Sequence, residues 1–197
     1  MAQVVALPPS PETRAANAGS FIGIIVALGS WAMMFSALFF VYAALRTQSP
    51  TWPPAGVPRL PASLPTVSTA VIVASSVTLQ LAVAALRRGN RAMFQRLLAV
   101  TLFLGLGFLE AQWLVWGELR ALGVYLSNGI YGSIVLGFTY LHALHIVVGL
   151  GALLFVWIRA RRGNYGPHDW FGVRSVAYFW HFVDAVWLVM FVTLFLV

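Results

Sequence analysis

The chain reads as an all-α polytopic membrane protein, a bundle of five transmembrane helices. Of its 197 residues, 60% are hydrophobic and only 9% are charged, where a soluble domain carries roughly 25% charged residues. The mean hydropathy is +0.86. Five apolar runs stand along the chain, each near the ~20 residues that span a ~30 Å hydrocarbon core as a helix. The runs are continuous rather than alternating in polarity, which argues against a membrane barrel. One membrane domain over 21–197 is expected, preceded by an arm over 1–20.

The arm holds several prolines, Glu12 and Arg14. It lacks the basic-then-apolar layout and cleavage pattern of a signal peptide, so it is expected to be a short extramembrane arm, placed on the cytoplasmic side by the arginine bias below. The first run, 21–45, is uncharged. The second, 67–86, has Ser75, Ser76, Thr78 and Gln80 as its polar content. The third, 97–117, is interrupted by Glu110 and Gln112. The fourth, 130–158, carries His142 and His145. The fifth, 176–197, carries His181 and Asp184 in its first half. An Asp near a helix centre costs about 2.5–3.5 kcal/mol to insert, so partners for Asp184 are expected elsewhere in the bundle. There is no cysteine. Disulfides, thiolate metal sites and a Cys nucleophile are thereby excluded.

All 12 basic residues are arginine, and they outweigh 5 acids. They cluster beside the apolar runs, which fits an anionic membrane surface better than nucleic acid. Nine of them (Arg14, Arg87, Arg88, Arg91, Arg96, Arg159, Arg161, Arg162 and Arg174) fall in the N-terminal arm and the second and fourth connections; three (Arg46, Arg59 and Arg120) fall on the other side. That bias predicts the N-terminus inside and the C-terminus outside. The first outer loop, Arg46 to Pro65, holds six prolines: Pro50, Pro53, Pro54, Pro58, Pro61 and Pro65. Proline fixes φ and removes a donor, so this loop is expected to be extended and stiff, with Trp52 at headgroup level.

Four constellations bear on chemistry. Phe138, His142, His145 and Gly149 share one face of the fourth helix by their spacing. Two histidines there could ligate a metal or haem, but no third or fourth ligand stands out. The reading taken is polar contact between helices, with Gly149 admitting a close neighbour. Glu110 is expected at a depth comparable to His142, making a Glu110–His142 or Glu110–His145 contact plausible. Its reading is a packing carboxyl rather than a relay acid. His181 and Asp184 lie three apart on one face, flanked by Trp180 and Trp187, and are expected to tie the fifth helix to its neighbours. A Gly19-x-x-x-Gly23 pair at the start of the first helix carries little weight.

Taken together, three motifs in order resemble subunit III of the haem–copper terminal oxidases, the cytochrome c oxidase family. They are Trp52-Pro53-Pro54 in the first outer loop; Tyr131-Gly132-Ser133 followed by Leu141-His142-Ala143-Leu144-His145-Ile146-Val147-Val148-Gly149; and Tyr178-Phe179-Trp180-His181-Phe182-Val183-Asp184-Ala185-Val186-Trp187. The resemblance covers nearly the whole chain from Phe21, in a five-helix form that lacks the first two helices of seven-helix members. In such enzymes the missing pair is sometimes fused to the large catalytic subunit.

The resemblance implies an accessory subunit, not catalytic on its own and without a redox centre or metal. It would pack against catalytic subunit I and subunit II, which hold the haems and copper. It would bind phospholipid in a cleft and support assembly, sustained turnover and proton uptake. The setting it implies is a multi-pass protein of a bacterial inner membrane, with a possible place in a respiratory supercomplex. One departure stands out: where many members carry a buried carboxylate early in the first of these helices, this chain has Trp31. Two alternatives stay open at this point. One is a quinol oxidase or a nitric-oxide-reductase-associated homologue of the same fold. The other is an independent transporter, against which the lack of internal repeats and broken helices speaks.

Overall fold

The computed structural model describes residues 11–53, 61–126, 129–166 and 170–196, with only the backbone described at 11–18 and 20. The described residues form five long helices: α1 (Pro11–Gln48), α2 (Ser63–Arg87), α3 (Arg91–Ala121), α4 (Ile130–Arg161) and α5 (Phe171–Phe191). The last runs on into a π-helical turn, Val192–Leu196. All five are long and apolar enough to cross a membrane. The chain is thus a multi-pass membrane protein of all-α class.

α1 to α4 run past the ends of their apolar runs, and α5 starts ahead of its own. Backbone hydrogen bonding continues past the apolar boundary, and arginine is a good helix former whose stem packs while its head stays polar. The expected arm over 1–20 is helical from Pro11, a residue suited to a first helical turn. Residues 1–10 lie outside the described residues. The proline loop is shorter than expected, because α1 reaches Gln48 and α2 starts at Ser63. Pro65 therefore belongs to the first turn of α2, where a missing N–H costs nothing. Pro54 and Pro58 lie outside the described residues.

Two connections at the arginine-rich end are built alike. Arg87-Arg88-Gly89-Asn90 closes α2, and Arg161-Arg162-Gly163-Asn164 closes α4. Gly89 has φ 77° and Gly163 has φ 78°, a region where a Cβ is strained. In each, the glycine N–H bonds three residues back (2.9 Å to Leu86, 3.0 Å to Ala160), and the asparagine N–H bonds five back (3.0 Å to Ala85, 3.2 Å to Arg159). These bonds use carbonyls that the helix end would leave unpaired. Asn90 then caps α3 by accepting from Met93 N–H at 3.0 Å.

From α2 onward, successive helices are packed neighbours, whereas α1 is set apart from α2. α2 and α3 form the tightest pair, joined inside by the Thr78–Thr101 hydroxyl contact at 2.9 Å. α4 and α5 complete a four-helix core. α1 packs chiefly against α5 and α4, and just 6% of its most apolar window is buried within the molecule. Its outward face is apolar, with Met33 76% and Phe40 75% exposed.

Candidate functional site

Trp180, Trp187, His142 and His181, all singled out by sequence, lie along the seams that α5 makes with α2, α3 and α4. Trp180 and Trp187 are both fully buried. The Trp180 indole N–H donates to Ser75 Oγ of α2 at 3.0 Å, and the Trp187 indole N–H donates to Thr69 Oγ1 of α2 at 2.9 Å. Each tryptophan thus pairs the one polar atom of a large apolar group. The Trp180 ring is seated between two glycines. A Cβ on Gly105 of α3 would stand 2.8 Å from it, and one on Gly149 of α4 would stand 2.9 Å from it. Gly149 therefore admits a close neighbour as its position on the face suggested. Gly105 does the same work from α3. Its only signal in the sequence is a glycine at helical spacing from buried Phe108 and Gln112.

The two histidines of α4 are both buried but serve different neighbours. His142 N–H (Nε2) donates to the carbonyl of Val183 in α5 at 3.2 Å. Its ring lies against Phe108 and Trp187, at centroid distances of 5.8 and 5.3 Å. His145 Nδ1–H donates to Leu141 O of its own helix at 2.7 Å. Its ring meets α1, at 5.5 Å from Trp31 and 5.2 Å from Phe35. A separation of three residues turns the two rings about 60° apart round the helix, so they do not converge on one point.

His181 and Asp184 turn toward α2. Ser76 Oγ lies 2.6 Å from His181 Nδ1. Both oxygens of the Asp184 carboxyl are buried with no hydrogen-bond partner among the described residues. His181 thus ties α5 to α2 through Ser76, a partner that sequence alone could not name, whereas Asp184 makes no such bond.

Glu110 corrects an expectation. It is exposed on the outside of α3 and contributes nothing to the buried seam. The inward face of α3 is set by Gly105, Phe108, Gln112, Val115 and Leu119. Glu110 lies two residues past Phe108, about 200° round the helix, and so points away from His142 and His145. The polar residue of α3 that does face inward is Gln112. It is fully buried, with neither amide atom hydrogen-bonded. His142 Nδ1 is likewise buried without a described partner. Among the described residues, no three His, Asp or Glu side chains come together as a metal set would.

At the opposite end, Trp52 joins three elements. Its indole N–H donates to the Tyr42 hydroxyl of α1 at 3.1 Å, and that hydroxyl donates to Thr193 O beyond α5 at 2.8 Å. The Trp52 ring also stands edge-on to Tyr131 of α4 at 5.1 Å. Pro53 follows in a bend, while Pro54 lies outside the described residues. Gly132 admits the backbone carbonyl of Tyr125, which a Cβ would strike.

A family model described as cytochrome c oxidase subunit III matches residues 10–197. The chain belongs to that family. It is 33% identical over 175 residues to "Cytochrome c oxidase subunit 3" of Synechocystis sp., covering 88% of this chain and 74% of that protein. It is 36% identical over 177 residues to "Probable cytochrome c oxidase subunit 3" of Nocardia farcinica, covering 89% of this chain and 87% of the relative. The protein of Mammuthus primigenius named "Cytochrome c oxidase subunit 3" is 32% identical over 190 residues, with 93% and 72% covered.

Within this subunit III frame, Trp31 stands where the resemblance led one to look for a carboxylate. Its indole meets His145 edge-on and lies 5.0 Å from the Phe179 ring. An aromatic wedge between α1, α4 and α5 occupies the place, so α1 brings no acid to His145.

Proposed function

We propose that this chain is the accessory, non-redox subunit III of a proton-pumping haem–copper oxidase that oxidises cytochrome c in a bacterial inner membrane. It binds catalytic subunit I and works beside subunit II. The observation that carries this reading is how its polar groups are used. His142, His181, Trp180 and Trp187 hold helices to one another, while the broad apolar face of α1 is left outward for a neighbour in the membrane. Family membership over nearly the whole chain supports the same conclusion. The arginine bias supports a cytoplasmic arginine-rich end.

A bound phospholipid belongs to the same reading. A groove of about 260 Å³ runs between α1, α4 and α5, lined by Ile24, Leu28, Trp31, Val148, Ala152 and Phe179. Its walls are apolar and suit part of an acyl chain. Ser175 also lines the groove, and the adjacent Arg174 guanidinium lies 5.6 Å from the Phe21 ring and 5.4 Å from the Trp170 ring. That places a cation beside the groove, suited to a phosphate. Arg174→Gln is expected to reduce the phospholipid recovered with the complex severalfold, measured by mass spectrometry of extracted lipid. Unchanged recovery rejects Arg174 as the headgroup contact.

The test of the function is purification through a tag on this chain from its native membrane. Haem absorbance is expected in the complex and absent from this subunit once separated. A complex that contains no haem-bearing partner, or a haem that travels with this chain, overturns the proposal.

A further inference from the structure

The outer face of α3 presents Phe103 (77% exposed), Leu106 (58%), Trp113 (62%) and Leu114 (53%), spaced as one stripe along a helix. Glu110 sits in the middle of that stripe, exposed. The stripe looks away from α2, α4 and α5, because the opposite side of α3 supplies the buried residues. Glu110 is 14 residues past Arg96 and 10 short of Arg120, or about 21 Å and 15 Å along the axis. It therefore lies within the hydrocarbon span. The nearest arginine on this helix is engaged elsewhere: the Arg120 guanidinium stacks over the Trp113 ring at 5.6 Å.

From these observations we infer that the Glu110 face of α3 docks a transmembrane helix of another polypeptide, one that presents a Lys, Arg, His or amide hydrogen-bond donor to the Glu110 carboxyl. Acyl chains carry no donor at that depth, and a glutamate stem is too short to lift its carboxyl to the surface as arginine or lysine does. Lipid phosphate is anionic and would repel a carboxylate. A second copy of this chain packed symmetrically on the same stripe would offer Glu110 only another carboxyl, with no basic or amide partner. A cationic or donor side chain on a different helix satisfies the carboxyl and keeps the stripe covered by apolar contact. An exposed Trp–Arg stack beside it adds the residue types that carry most energy at protein interfaces. This face is separate from the outward face of α1, so the inference gives the subunit a second contact in the membrane.

The test uses the complex in native membranes. A photoreactive amino acid is placed at Leu106, and separately at Trp113, leaving Glu110 intact; Leu144 on the exposed face of α4 serves as the control. Irradiation is expected to join positions 106 and 113 to one polypeptide, at a membrane-spanning peptide that contains a basic or amide side chain. In an E110L background that crosslink is expected to fall at least about tenfold, the worth of a charge-assisted hydrogen bond, while the amount of this chain in the membrane stays constant. Adducts with lipid alone, adducts with a second copy of this chain, or a crosslink undiminished by E110L would each overturn the inference. Haem content is read in the same preparation. Retained haem with no crosslink removes this docking face and leaves the subunit III proposal standing.

Discussion

Trp180 of α5 sits where α2, α3 and α4 all reach it. It is fully buried, hydrogen-bonded to Ser75, and seated between Gly105 and Gly149. Trp180→Ala removes the ring and leaves a cavity, at a cost of about 3–5 kcal/mol. The expected outcome is a marked fall in the thermal stability of the solubilised complex and release of this subunit from it. Trp180→Phe fills most of the space and is expected to cost less, chiefly through Ser75 and the smaller ring. Gly149→Val tests the same seat from the other side. It must displace rigid rings 2.9–3.0 Å away, so it is expected to be at least as damaging as Trp180→Phe in the same melt. Asp184→Ala and His181→Ala are expected to act on assembly and lipid retention, since His181 bonds Ser76 of α2 and Asp184 lies buried within the bundle. Assembled enzyme bearing either change is expected to retain haem reduction in difference spectra normalised to haem content. Loss of reduction in a fully assembled variant would refute a structural role for the pair.

Among the elements, α1 is the one held least by the rest of the molecule. Its contacts include the aromatic wedge of Trp31 and Phe35 against His145 and Phe179, the Phe39 ring against Phe138, and the Trp52–Tyr42–Thr193 chain near its end. The Tyr42 hydroxyl both accepts and donates there. Tyr42→Phe deletes two hydrogen bonds worth about 1 kcal/mol each while preserving ring packing on Trp52. Faster amide exchange is expected at the C-terminal end of α1 and in the π-helical turn. No change in exchange at either place would mean that ring packing alone holds this corner. The α2–α3 pair, knit inside by Thr78 and Thr101, is expected to be unaffected in the same experiment.

Taken as a whole, the molecule has one arginine-rich end and one end closed by the Trp52 corner. Nine of the 12 arginines lie in the N-terminal arm and the second and fourth connections. The orientation this predicts is testable without background, because the chain has no cysteine. Thr51→Cys is expected to react with an impermeant maleimide from outside intact cells, whereas Asn164→Cys reacts only after permeabilisation. Both residues are exposed. The reverse labelling pattern would invert the topology and move the groove beside Arg174 to the outer leaflet.

What the sequence determined by itself was the class, the number of spans and the family. Those follow from continuous apolar runs of membrane-crossing length and from motifs whose residues are contiguous: Tyr178–Trp187, the paired histidines, and Trp52-Pro53. It also singled out His181 and Asp184 as groups in need of partners, because the cost of inserting a carboxyl is a property of the residue. What the tertiary structure decided is which polar groups meet. Ser76, Thr69 and Ser75 lie more than 100 positions from the α5 residues they bind, a distance no local pattern reports. Glu110 and Gln112 are two residues apart and invite the same reading, yet one points outward and the other inward. Rotation of α3 about its axis separates them, and that rotation is set by Gly105 and Phe108 packing on Trp180, His142 and Trp187.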